Sequence, residues 1–474
     1  MYIGIAALIA LAMILLAVFS QRQGQRWLAP DAFFCLLWGL YCGVSLAFVS
    51  RPERHIPGLL WILLSCGCVF VGSTVARSLV VRTRLAGGST RLRPRAPHRN
   101  STDAANAAAI QTPVDRYAGR PVRGPARGPA RIVRLPAFRS LTVLLVLMGL
   151  GEIVYIFAQR GVSLQGILSL SAVAQVSAAN RVDFTYGDRR QSTVEWVVFV
   201  LVYAGALFGG AYFRFARTRR GKLIALLTVV NAATFAMLYG SRMGVLFGGS
   251  FWISAYLAAH ILEAGARRRS DLRLLARILG YSAAILLGFS ILTMSIRYQF
   301  LDAPRALGRH LSETFVFVPA FCEWFADECA SDPWLSERKR LWGFRSFWKL
   351  YELCGVIESP ELPIPVEETS SNIFTVFRGL IEDFGPIGSC LVLFLFGAAA
   401  NLSYLAVQYG RASFLPALIV AYAYTFLSTS FSLFTYNAPN LALWIFAGYF
   451  LLRRIHLAPR ALSGPRCYQR AAPV

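Results

Sequence analysis

The chain has 474 residues, of which 56% are hydrophobic, and carries 48 Lys and Arg against 24 Asp and Glu, a net charge of +24. A mean hydropathy of +0.52 excludes an ordinary soluble globule, which would have too little polar surface to face water. Nor does the basic excess point to nucleic acid, because it is mostly Arg set in short stretches beside apolar runs, the pattern of cytoplasmic flanks.

A hydrocarbon layer about 30 Å thick takes roughly 20 apolar residues per helix. Runs of that kind predict an all-α bundle of about eleven transmembrane helices: Tyr2 to Ser20, Ala32 to Ser50, Leu59 to Val81, Leu141 to Ala158, Val194 to Phe213, Leu223 to Gly240, Gly244 to Leu262, Ile278 to Ile296, Gly385 to Gln408, Phe414 to Phe431 and Pro439 to Leu452. The first run lacks a basic stretch before it and a small-residue cleavage site after it, so it reads as a helix and not a removable signal. Cys35, Cys42, Cys66 and Cys68 fall inside these runs and read as small hydrophobes.

Arg clusters occupy alternate gaps: Arg22 and Arg26, then Arg82 through Arg139, then Arg214 to Lys222, then Arg267 to Arg277, then Arg411 and the tail from Arg453. The positive-inside rule then places the N-terminus outside and the C-terminus in the cytoplasm. The chain divides into helices 1–3 (1–81), an Arg-, Pro- and Gly-rich cytoplasmic loop (82–140), helices 4–8 (141–296), a large outer loop (297–384), helices 9–11 (385–455) and a basic tail (456–474). The first loop has almost no acid and no apolar periodicity, the composition of a disordered linker that can touch anionic head groups.

The outer loop holds fourteen of the twenty-four acids and crowds Trp334, Trp342, Phe344, Phe347 and Trp348 between charges. It reads as a small helical lid, its aromatics suited to the membrane interface or to sugar faces. Cys322 and Cys329 within it are candidates for a disulfide, with Cys354 a rival partner.

Three Arg break the charge rule by falling on the outer side: Arg242 in the hairpin after Tyr239, Gly240 and Ser241, Arg297 in SIRYQF, and Arg378 in FRGLIEDFG. A guanidinium keeps its charge when partly desolvated and grips phosphate oxygens with two parallel bonds, so the set suits a lipid-linked pyrophosphate. Each alone also fits snorkelling to lipid phosphate or pairing with a nearby acid. Asp383, Glu382 and His310 are candidates to take a proton from an attacking hydroxyl. Asp383 equally fits a helix cap, and a lone His310 fits a surface residue. Glu152, inside the fourth run, is an intramembrane ionisable group that calls for a partner the sequence does not disclose. The chain has no P-loop, HExxH, Cys/His cluster or GxGxxG between strand and helix, which argues against nucleotide-driven chemistry and against a bound metal.

The stretch SSNIFTVFRGLIEDFGPIGSCLVLFLFG, with LYGSRMGVLFG before it and LSTSFSLFTYN after it, resembles the bacterial O-antigen polymerase, or oligosaccharide repeat unit polymerase, family. The residues that carry the likeness are Asn372, Thr375, Asp383, Phe384, Gly385 and Gly388, together with Gly240, Ser241 and Arg242. Arg242 and Leu246 also fit the Arg-x-x-x-Leu pattern of the related O-antigen ligases, for which His310 would be the outer-loop His. The likeness spans roughly Gly151 to Leu452 and implies a metal-independent, cofactor-free, inverting glycosyltransferase. Such an enzyme joins undecaprenyl-pyrophosphate-linked oligosaccharides at the outer face, making O-antigen, capsule or exopolysaccharide. Membrane lipids and a chain-length regulator are the further partners it implies. A ligase is the nearest alternative. A lipid-linked oligosaccharide flippase is another, disfavoured by the absence of repeated halves and of polar breaks at mid-membrane.

Overall fold

A computed structural model describes residues 1–24, 26–48, 52–88, 135–163, 169–186, 193–239, 242–264, 273–278, 280–281, 288, 317–329, 375–408, 418–419, 422 and 437–452. All regular structure among them is helical. In chain order the helices are α1 (Tyr2–Gly24), α2 (Pro30–Ser45), α3 (Pro52–Gly88), α4 (Leu135–Gln159), α5 (Leu170–Tyr186), α6 (Thr193–Phe215), α7 (Arg219–Leu238), α8 (Arg242–Ala264), α9 (Phe317–Trp324), α10 (Val376–Gln408) and α11 (Asn437–Leu452). A π-helical turn, Phe325–Cys329, extends α9.

Seven of these helices, α1, α3, α4, α6, α7, α8 and α10, are long and apolar enough to cross a membrane. The chain is therefore a multi-pass membrane protein. α2 and α11 are apolar but only 16 residues each. The expected spans 278–296 and 414–431 lie mostly outside the described residues. Leu8, Leu15, Leu64, Leu147, Leu223 and Leu395 are exposed on the helix flanks, a surface that water would penalise and lipid accepts.

Two boundaries differ from the hydropathy reading. α3 starts at Pro52 and runs to Gly88, and α4 starts at Leu135, so both ends of the Arg-rich segment 82–140 are helical. Arg and Ala favour helix once an apolar helix has been nucleated beside them, and hydropathy does not register that extension. The rest of that segment lies outside the described residues.

Helices α1, α2, α3, α9 and α10 pack into one group, and α4, α6, α7, α8 and α11 into another, with α5 laid against α7 and with α8 touching α10. Both groups close through small residues, as helices in lipid do when dispersion and close backbone approach replace the hydrophobic effect. A methyl at Gly72 would land on the Phe394 carbonyl oxygen, and one at Gly397 on that of Val69, so α3 and α10 meet backbone to backbone. Ser73 Oγ donates to the Gly397 carbonyl at 2.9 Å in the same contact. In the second group Gly210 meets the Trp252 carbonyl in the same way.

A polar lock ties the first group together at the α1–α2 turn. Asp31, in the first turn of α2 and fully buried, accepts from Arg77 Nη2 of α3 at 2.5 Å and from Ser20 Oγ of α1 at 2.5 Å. With its amide oxygen turned toward the guanidinium, Asn401 of α10 accepts from Arg77 Nε at 2.9 Å and Nη2 at 3.0 Å. Four helices thus share one buried ion pair.

Candidate functional site

α10 is two helices across a joint. Gly385 has φ 68° and ψ 175°, a backbone state only glycine adopts freely, and Pro386 follows it. The joint sets off a short arm, residues 376–384, from the long apolar span 386–408. The span therefore opens where the Asp-Phe-Gly element predicts. Gly388 is forced small as well, since a side chain there would press on Phe384 one turn back.

The short arm is buried on nearly every side. Phe377 packs at a tilt against Trp38 of α2, ring centroids 4.6 Å apart, and against Phe321 of α9 at 5.9 Å. Arg378 donates from Nε to Glu382 Oε1 at 2.7 Å, one turn along, and lies over the Trp324 ring with 5.0 Å to its centroid. Both members of this pair are about nine-tenths buried, so the attraction is little screened by water. Thr375, 1% exposed, ends the chain's approach to the arm, and its hydroxyl makes no hydrogen bond among the described residues. Asp383 is completely buried in the arm's last turn.

α9 roofs the arm and is itself held by the start of α3. Cys322 lies on Gly58, where a Cβ would come within 2.6 Å of the Cys322 Cα. The Trp61 and Phe325 rings are 5.5 Å apart, and His55, 2% exposed, faces Glu323 with Nε2 3.9 Å from Oε1. Arg54 and Asp327 add an exposed pair at 3.6 Å. Cys322 is a free thiol, not half of a disulfide, and burial pushes it well above its ordinary value, with the charges of Cys42 and Glu323 adding to the effect.

The structure brings together Thr375, Arg378, Glu382, Asp383 and Gly385 of the expected set on one arm. Arg242 opens α8, but its side chain lies outside the described ones, as do Ser241, Arg297, His310 and Asn372 entirely. The pairing of Arg378 with Glu382 is the nearby-acid alternative, and it engages one carboxylate oxygen of a residue considered as a base. Sequence reasoning missed Trp324, His55 and Glu323, because their partners come from elements far apart in the chain. It also missed α5, whose mix of Ala, Ser, Asn and Val shows no apolar run. α5 clasps the end of α7 that leads into the Arg242 hairpin: Ser177 Oγ donates to the Met237 carbonyl at 2.8 Å and Asn180 Nδ2 to that of Leu238 at 2.9 Å. Arg160, just past α4, donates to Asn180 Oδ1 from Nε at 2.9 Å and Nη2 at 2.5 Å.

Glu152 of α4 is buried, and the charged residue that acts on it is another acid, Glu195 in the first turn of α6. No group of three His, Cys, Asp or Glu side chains converges among the described residues. Comparison with family models, curated proteins and solved structures found no match.

Proposed function

We propose that the chain is a polysaccharide repeat-unit polymerase, which joins undecaprenyl-pyrophosphate-linked oligosaccharides at the outer face of the bacterial inner membrane. The observation that carries this reading is the buried short arm of α10, where Arg378, Thr375 and Asp383 sit at the very end of a membrane-crossing helix. At the end of a span these groups would stand at head-group depth, where a lipid pyrophosphate would lie. Successive crossing helices alternate in direction, so the arm, α5 and the start of α8 belong to one face, and positive-inside bias makes it the outer one.

The Trp324 ring and Glu382 hold the Arg378 guanidinium in place and keep it charged away from bulk water. It would bind the pyrophosphate of the donor, with Arg242 and Arg297 as further grips. An acceptor sugar hydroxyl attacks the anomeric carbon of the donor's reducing-end sugar. As the new C–O bond forms, the bond to pyrophosphate breaks and undecaprenyl pyrophosphate leaves with the electron pair, its charge stabilised by the Arg set. The hydroxyl proton passes to Asp383.

Arg378→Lys keeps a charge but loses the planar fork, so surface glycan should shorten to single units while the protein's membrane level stays normal. Wild-type chain length in that variant would end the pyrophosphate role. Deleting the gene separates the rivals: single-unit glycan indicates polymerisation, whereas long chains left unattached indicate a ligase.

A further inference from the structure

Trp38 Nε1, Ser65 Oγ and Ser389 Oγ lie outside the arm of α10 and play no part in the reaction proposed for it. All three residues are 0% exposed, and each of these atoms has no hydrogen-bond partner among the described residues. Other hydroxyls on these helices turn back to the carbonyl one turn earlier, as those of Thr74, Thr142, Ser254 and Ser403 do. Ser65 has the Trp61 carbonyl in the same position and does not take it. A buried hydroxyl that leaves so near a partner calls for another, because burial without any bond is costly.

Register brings the three groups together. α3 and α10 run in the same direction, with Gly72 against Phe394, Ser73 against Gly397 and Arg77 against Asn401. About 12 Å back along both axes from Ser73 and Gly397, Ser65 and Ser389 stand level with each other. Ser65 shares its face with Val69 and Gly72, which meet α10, and Ser389 shares its face with Phe396 and Gly397, which meet α2 and α3. α2 runs the opposite way. Cys35 Sγ donates to the Cys66 carbonyl at 3.7 Å and Phe34 lies 6.2 Å from Phe396, so Trp38, one turn on, stands within about a turn of the two serines. The Trp38 ring also packs on Phe377 of the arm, and Ser389 is one turn past the joint at Gly385.

The set is uncharged and closed to solvent. An indole N–H only donates and so repels a cation, while an anion enclosed here would find no counter-charge among the three groups. A water molecule suits them all: it accepts from the indole and from one hydroxyl and donates to the other, the usual bonding of a buried water. We propose that Trp38, Ser65 and Ser389 bind an internal water that ties α2, α3 and α10 together beside the joint. Pro386 has no amide hydrogen to complete the ladder there, and bound water is one way a transmembrane helix accommodates such a break. The site is independent of the polymerase reading.

An X-ray pulse makes hydroxyl radicals from water, bound water included, so the full chain in lipid nanodiscs is irradiated and oxidation is read by mass spectrometry. Trp38 should be oxidised about tenfold faster than Phe251, an equally enclosed ring in the other helix group. A radical scavenger confined to the bulk solvent should leave that rate within about twofold, because the radical forms in place. The double variant Ser65→Ala, Ser389→Ala removes two of the three partners and should slow Trp38 by about tenfold, while continued protection of Phe251 reports a folded protein. If Phe251 loses its protection in the double variant, the single variants decide, each being expected to slow Trp38 by about twofold or more. A wild-type Trp38 rate equal to that of Phe251, a rate abolished by the scavenger, or one that neither serine affects would overturn the site.

Discussion

The two helix groups handle buried charge in opposite ways. In the group built on α3 and α10, two buried acids are set against a base or a hydroxyl: Asp31 has Arg77 and Ser20, and Glu382 has Arg378. In the group built on α4 and α6, the buried Glu152 has another acid, Glu195, nearby, and Asn180, Asn231 and Thr228 donate to backbone carbonyls. The first arrangement fixes helices relative to one another. The second sets like charges close to one another inside the bundle.

The same kind of substitution should therefore act with opposite sign in the two groups. Asp31→Asn strands a buried guanidinium and should destabilise the protein by about 3–5 kcal/mol, seen as a large fall in the thermal unfolding midpoint in detergent. Glu152→Gln removes a repulsion at a buried oxygen that has no hydrogen-bond partner among the described residues and should raise that midpoint, by a stabilisation on the order of 1 kcal/mol. If both variants fall alike, the contrast between the groups is wrong. Close packing, by comparison, should not distinguish them. Gly72→Ala and Gly210→Ala each drive a methyl into a neighbouring carbonyl, and each should cost about 1–3 kcal/mol by the same measurement. The smallest effects lie at the surface. Arg54→Ala removes a pair exposed by half and should shift stability by under about 0.5 kcal/mol, whereas Asn180→Ala, which frees both Arg160 and the Leu238 carbonyl, should cost about 1–2 kcal/mol.

How much of this was legible in the sequence depended on the distance over which the information acts. The helix character of the chain and the opening of a span at Gly385 are local properties, written in apolar runs and in an Asp-Phe-Gly-Pro sequence. The pairing of Asp31 with Arg77, 46 residues apart, or of Glu152 with Glu195, 43 apart, depends on which helices become neighbours, and composition does not encode that. Residues 52–58, polar and ahead of the apolar run that begins at Leu59, open α3, and His55 among them is buried. Within the candidate site, residues adjacent in the chain were legible, while the roof over them, Trp324 and Phe321, comes from a helix more than fifty positions earlier.

The joint at Gly385 and Pro386 has a consequence for how the sequence of α10 is free to change. Proline contributes no amide hydrogen, so the hydrogen-bond ladder is broken there, and the direction of the arm is set by two residues instead of by the span. The span answers chiefly to lipid and to the glycine contact with α3, and most of its apolar positions can exchange for one another. The arm has no such latitude, because its neighbours enclose it almost completely. Tolerance to substitution should therefore change abruptly at one residue, and the two stretches joined there can drift at different rates.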